Sequence, residues 1–392
     1  MKRTMSRFIF IFVFVGAWVQ SCHIQSPTPS QMPLFAPAPG SPFAAGIRPV
    51  DVAIGEVNGD GALDILTANA GSNDVTILLG NGKGDFTAAP NSPLTAGVSP
   101  HLIILADLNR DSKLDFALTG HDGYNVMVWL GNGSGGFTPA PDSPFTVLNE
   151  TPPHNHGLVL GDVNNDGNLD LATSNHGHHS VSVLLGNGKG HFTPAAGSPF
   201  AVGRGPYPLA AADLNQDGKL DLVTPNVASN NTTVLLGDGS ANFTAAAGSP
   251  YPVLNRPYNL AIGEINDDAK LDLIITHDDI NDMTILWGDG NGGFRPAPNS
   301  PYNLGRRGYK VIIVDVNNDA KKDLIVSHPL NSRNITVLLN DGSGSFIAAP
   351  GSPYSAGREP NCLATGDMNG DGKLDIIAAN FASNDVTILL GR

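Results

Sequence analysis

Asp162, Asn164, Asp166 and Asp170 stand at the first, third, fifth and ninth places of one nine-residue stretch, with Gly167 at the sixth. Oxygen side chains at that spacing, wrapped round a tight glycine turn, suit a hard cation, because Ca²⁺ takes six to eight oxygens at about 2.3–2.6 Å. The pattern occurs seven times. The other sets are Glu56, Asn58, Asp60 and Asp64; Asp107, Asn109, Asp111 and Asp115; Asp213, Asn215, Asp217 and Asp221; Glu264, Asn266, Asp268 and Asp272; Asp315, Asn317, Asp319 and Asp323; and Asp367, Asn369, Asp371 and Asp375. Three clustered carboxylates per loop repel one another unless a cation neutralises them. Up to seven Ca²⁺ ions are therefore expected, each tying the strand before its loop to the strand after it. Ser112, Ala269 and Ala320 replace the sixth-place glycine, so loops two, five and six are expected to bind more weakly. Nothing in the pattern supplies a general base or an open coordination position, so the ions read as structural.

The loops need a scaffold that repeats with them. Their first residues lie 51, 55, 51, 51, 51 and 52 positions apart, and a fixed period of about 50 residues marks a repeat array or propeller. In the third repeat, strands are expected at residues 157–161, 169–174, 181–185 and 191–195, with a tight Gly-Asn-Gly-Lys-Gly turn at 186–190. Four antiparallel strands per repeat is the pattern of a propeller blade. Each repeat ends in Ser-Pro followed by Phe43, Leu94, Phe145, Phe200, Tyr251, Tyr302 or Tyr354. Leu94 is the exception, and the six rings read as packing between blades, with the chain then crossing to the next. Residues 34–43 align with residues 85–94, around the fourth strand of the first unit, and the last repeat stops after its third strand. The two ends are thus expected to pair and close a ring without open edges.

The 392 residues carry a net charge of −14, and 21 of the 36 acidic residues occupy ligand places in the loops. Nucleic acid needs a basic footprint and is excluded as a partner on that ground. Residues 1–21 begin with Lys2, Arg3 and Arg7 and continue in an apolar run, the form of a signal peptide. Val19-Gln-Ser-Cys22 resembles a bacterial lipoprotein processing box, which would lipidate Cys22. Residues 22–32 read as a flexible Ser/Pro-rich tether. The expected product is exported, either secreted or held at the outer membrane or cell surface by that lipid, with no other membrane contact. With Cys362 alone in the array, no disulfide framework is available there.

The loops, the Gly-Asn-Gly-Lys-Gly-His-Phe turn and the Ser-Pro-aromatic units together resemble the FG-GAP / VCBS repeat family, whose loops are similar to those of the integrin alpha-subunit propeller. The resemblance spans residues 33–392 and implies an all-β, seven-bladed propeller of four-stranded antiparallel blades with calcium in its loops. It is closer to VCBS-type bacterial surface and secreted proteins than to integrins, and it implies little about ligand.

Strand polarity points to a second site. The loops join strands one and two on one face, so the start of strand one and the end of strand two lie on the other. Six residues before the loops stand Val50, His101, His156, Tyr207, Tyr258, Tyr309 and Asn361. At the ends of the second strands stand Asn69, Gly120, Asn175, Asn226, His277, His328 and Asn380. Arg48, Arg204, Arg256, Arg306, Arg307 and Arg358 lead into the first strands. Arg48, His101, His156, Arg204, Tyr207, Arg256, Tyr258, His277, Arg307, Tyr309, His328 and Arg358 are expected to surround the channel mouth as a ligand site. Arginine forks suit anionic oxygens, and tyrosine faces suit sugars or side chains. His154, His156, His176, His178 and His179 cluster in the third repeat and read as a solvated histidine-rich loop.

The leading reading is a monomeric, exported, calcium-stabilised binding or adhesion module for a glycan or extracellular protein, without catalytic residues. The alternative is a polysaccharide lyase or other carbohydrate-active enzyme with Tyr258, Arg256 and His277 at the mouth.

Overall fold

The computed structural model describes residues 32–97, 99–123, 125–148 and 155–392. The expected signal segment, the tether through residue 31, Cys22 and His154 lie outside the described residues.

Each repeat forms one antiparallel sheet. In blade three the order is Asn155–Gly161, Asp170–Asn175, Ser180–Gly186 and Phe192–Pro194. Every second strand is buried along its whole length, as in Asp170–Asn175 and Asp272–His277. Such a strand packs on both faces, so its polar residues are buried along with its apolar ones, Asp170, Thr173, Ser174 and Asn175 beside Leu171 and Ala172. First strands contact first strands of neighbouring blades right round the ring, blade seven to blade one included. They therefore line the central channel. The apolar clusters lie between blades: one joins Val52 and Ile65 of blade one to Ile377 and Ile388 of blade seven.

The Ser-Pro-aromatic unit does more than cross over. Phe200–Ala201 pairs with the third strand of its own blade beside Phe192–Pro194, so each outer edge is built from two short pieces. The Ser198 hydroxyl accepts a hydrogen bond from Val183 N at 2.9 Å, and equivalent serines do the same in the other blades. The Ser-Pro bond of each of the seven units is cis. The ring that follows packs edge-on against a phenylalanine of the next blade, Phe200 on Phe243 at 5.2 Å and Tyr251 on Phe294 at 5.7 Å.

The ring closes as the sequence implies. Phe35–Pro37 pairs antiparallel with Asp385–Gly391, with Phe35 opposite Gly391 and Pro37 opposite Leu389. Phe43–Ala44 extends the same edge. Phe35 is buried and meets Tyr354 edge-on at 5.4 Å.

Candidate functional site

The aspartate loops are knit by their own hydrogen bonds. Asp162 accepts from Asp166 N at 3.1 Å and Gly167 N at 2.8 Å. Asn164 Oδ1 accepts from Asp166 N at 3.0 Å. Gly167 has φ +82°, and Ser112, Ala269 and Ala320 adopt the same left-handed conformation at 65°, 62° and 68°. A β-carbon there costs about 1 kcal/mol without preventing the turn. The ninth-place aspartates are buried keystones. Asp170 accepts from Val163 N at 3.0 Å and from Gly186 N of the third strand at 2.8 Å. Asp64, Asp115, Asp221, Asp272, Asp323 and Asp375 make the same pair of bonds. Burial, with the neighbouring loop carboxylates adding to it, pushes Asp170 and Asp272 up to about 6.

An all-oxygen donor set of three acids and an amide fits Ca²⁺ chemically. In this geometry Asn164 Nδ2 donates to Asp166 Oδ2 at 3.0 Å. Lys113, Lys219, Lys270 and Lys373 pair with the fifth-place aspartates of their loops at 3.6–3.9 Å. Among the described residues no three His, Cys, Asp or Glu side chains are arranged to hold a metal ion. Ion binding would require these contacts to rearrange. Loops one and three, with Ala62 and Asn168 at the seventh place, have no lysine there to displace.

On the opposite face, the seven positions ahead of the loops converge. Val50, His101, His156, Tyr207, Tyr258, Tyr309 and Asn361 line one cavity of about 40 Å³. The Tyr258 hydroxyl lies 2.8 Å from that of Tyr207 and 3.1 Å from that of Tyr309. His156 stacks on Tyr207 with centroids 3.6 Å apart, and His101, His121 and His176 follow at 5.0–5.3 Å from His156. Aromatic rings thus fill the channel end, leaving room for about one water, whose share of liquid volume is ~30 Å³. A ligand must sit above this plug, not inside it. Burial pushes the hydroxyls of Tyr207, Tyr258 and Tyr309 above the ordinary phenol range.

The remaining expected residues divide. His277 and His328 are not at the opening. They are buried at the ends of the second strands, with both ring nitrogens used: His277 meets Asn255 O at 2.8 Å and Thr284 Oγ1 at 2.9 Å, and His328 meets Arg307 O at 2.8 Å and Thr336 Oγ1 at 2.7 Å. They take the part that Asn69 plays in blade one, where its amide donates to Asp74 and Thr76. Burial lowers the affinity of both histidines for a proton, His328 to about 4. Arg204 and Arg358 donate to carbonyls of their own blades, Ala228 O and Ala382 O, and Arg48 lies over the Phe381 ring. Arg256 and Arg307 do meet, through Asp278, at 2.6 and 3.4 Å. The histidine-rich loop is also more ordered than expected. His176–His178 form a short 3-10 turn, and His179 Nδ1 accepts from Gly205 N at 3.1 Å.

Three functional-looking residues escaped the sequence reading. Asp278 is one. Asp51 and Lys310 also line the channel cavity, beside the buried thiol of Cys362. Asp51 accepts from Ile103 N at 2.9 Å; burial raises its carboxyl, and Lys310 opposes that rise.

Solved structures share this architecture. BBS1N in complex with ARL6DN superposes with a TM-score of 0.63 at 13% identity, covering 92% of this chain and 97% of that one. A lectin from Agrocybe aegerita that recognises non-reducing terminal N-acetylglucosamine gives 0.55 at 20% identity, covering 84% and 85%. Virginiamycin B lyase from Staphylococcus aureus gives 0.53 at 12%, covering 91% and 97%. At these identities the likeness shows the fold alone. No curated protein matches the chain. The FG-GAP-like repeat matches residues 56–118, 107–173, 162–224, 264–326 and 315–378. Each match starts at the first place of an aspartate loop and runs into the second strand of the next blade. With more than half of its length covered in this register, the chain belongs to the FG-GAP-like repeat family.

Proposed function

We propose that this protein is an exported, calcium-binding propeller that binds a glycan or an extracellular protein on the face opposite its aspartate loops. The observation that carries this reading is the convergence of seven equivalent positions on one opening, with tyrosine or histidine at five of them. Flat amphipathic rings offer contact area at little entropic cost. The Arg256–Asp278–Arg307 arc beside them adds charge. A protein of this fold recognises N-acetylglucosamine, so the architecture is compatible with glycan binding. Export rests on residues 1–21, and attachment to the outer membrane or cell surface on lipidation of Cys22.

Calcium would be held by the first-, third-, fifth- and ninth-place side chains and would neutralise the loops. The lyase alternative is disfavoured by two features. A tyrosine base must lose its proton, and Tyr258 holds its proton more tightly than a free phenol. His277 has both nitrogens committed. Two measurements test the proposal. On an array of glycans and extracellular proteins, binding should persist in Lys83→Ala, on the loop face, and fall in Tyr258→Ala. Loss in the first variant but not the second would place the ligand elsewhere. A chelator should lower the melting temperature and Ca²⁺ restore it by mass action; an unchanged melting curve would remove calcium from the proposal.

A further inference from the structure

Blade six carries a cleft of about 510 Å³ between the lead-in to its first strand and the turn joining its second and third strands. Arg306, Arg307 and Arg333 line it. Arg307 shares Asp278 with Arg256, at 3.4 and 2.6 Å. Arg306 and Arg333 are exposed, and no carboxylate lies within ion-pair distance of either among the described residues. In a chain of net charge −14, three guanidinium groups round one hollow make a local field of opposite sign, which a concave wall focuses.

The turn is shaped for contact. Leu330 and Asn331 have φ of 60° and 55°, a conformation that is costly for leucine and that clusters at binding sites. Asn331 N is held by the Glu359 carboxylate of blade seven at 3.2 Å. Leu330 is 54% exposed, an apolar wall facing solvent, with Ser332 beside it. Guanidinium forks, the Ser332 hydroxyl and an aliphatic surface together match a sugar ring bearing an anionic group. The volume suits one or two such rings, since small-molecule sites run from about 300 to 1,000 Å³.

We propose that this cleft is the subsite for the carboxylate or sulfate of an acidic glycan. The inference rests on the reading above that the ligand lies on this face. Arg306 and Arg333 take the anionic oxygens, and Arg307 is held ready by Asp278.

Titration calorimetry of the full chain with oligogalacturonate, a heparin oligosaccharide and neutral dextran tests it. At least one acidic oligomer should bind about tenfold or more tighter than dextran, a factor that one charge-assisted hydrogen bond supplies. Oligogalacturonate binding identifies the carboxylate as sufficient; binding of the heparin oligosaccharide alone assigns the sulfate. Arg306→Ala and Arg333→Ala should each weaken that binding about tenfold with unchanged melting temperature, and Arg333→Lys should not restore it fully. Lys83→Ala removes the same charge from the other face and should leave binding intact. Acidic binding that Lys83→Ala weakens as much as Arg333→Ala overturns the cleft in favour of diffuse attraction. If neutral glycans bind as well as acidic ones and the arginine variants match the parent, the cleft is wrong while the binding module stands. If none of the three oligomers binds, the acidic subsite is wrong, and the array above decides separately whether the module has any ligand.

Discussion

The two faces of the ring are made by the same seven repeats and have diverged in opposite directions. On the loop face, the closing aspartate of every blade accepts from the same two backbone amides. On the mouth face, the equivalent position is Val50, His101, His156, Tyr207, Tyr258, Tyr309 or Asn361. A contact needed to fold each blade is repeated seven times over. Residues that meet at one shared opening are free to differ, because only their sum matters there. The loop face thus reports how the ring is built, and the mouth face is where one shared opening is lined by different residues.

Four perturbations sharpen or break that contrast. Deleting residues 33–39 strikes both faces at once. It removes the buried Phe35 and leaves Asp385–Gly391 with an open edge, so aggregation and a large loss of melting temperature are expected. A monomer with unchanged melting in light scattering would contradict the closure. Next, Asp170→Ala leaves Val163 N and Gly186 N without their charged acceptor. Denaturant unfolding should show a loss of about 3–5 kcal/mol, and Asp221→Ala should match it. Very different values in the two blades would mean that the loop face is less uniform than its hydrogen bonds imply.

The third perturbation is pH. His328 titrates near 4 in the fold against the ordinary 6.5, so between those values the unfolded chain holds a proton that the folded one lacks. The contribution of this group should be full above pH 6.5 and decline as pH falls to 4, by ~3 kcal/mol, against an opposite trend from Asp170 and Asp272, whose raised carboxyls take up protons in the fold first. His277 acts in the same direction as His328. His328→Asn, which installs the residue found at Asn69 and Asn380, should flatten that decline; an equally steep acid limb would place the cause elsewhere. The smallest effect is expected from Tyr258→Phe. It removes hydroxyl contacts to Tyr207 and Tyr309, worth about 1 kcal/mol each. A loss beyond 3 kcal/mol would make the mouth a folding device like the opposite face.

Much of this architecture was legible because the sequence repeats it. The blade count, the loop face, the closing strand and the convergence of Tyr207, Tyr258 and Tyr309 all follow from register and strand direction. The repeat hides what is local. Asp278 lies in the turn after the second strand, where the other blades carry Ala70, His121, His176, Val227, Pro329 and Phe381, so no repeated residue singles it out. Asp51 was missed for a different reason. The first strands of blades one, two, three, five and seven are bulged near their start, with a shift between Pro49 and Asp51 in blade one. A bulge lets two successive residues face the same way, so Val50 and Asp51 both line the channel where simple alternation admits one. For His277 and His328, polarity located the correct face but not the side of the strand. Their rings turn toward the third strand, where a buried polar group finds partners.

The pairing of Phe35–Pro37 with Asp385–Gly391 also sets an order in time. The serine of this edge, Ser41, accepts from Ile388 across 347 residues. During synthesis the first strand to emerge has no partner in its own chain until the last blade has been made. Six blades must wait with their ring open, and contacts of such separation form slowly. Meanwhile the unpaired N-terminal strand of one molecule is complementary to the bare third strand in blade seven of another. At high synthesis rates the foreseeable misfolded product is therefore an exchanged dimer or chain of rings, each molecule lending its first strand to its neighbour.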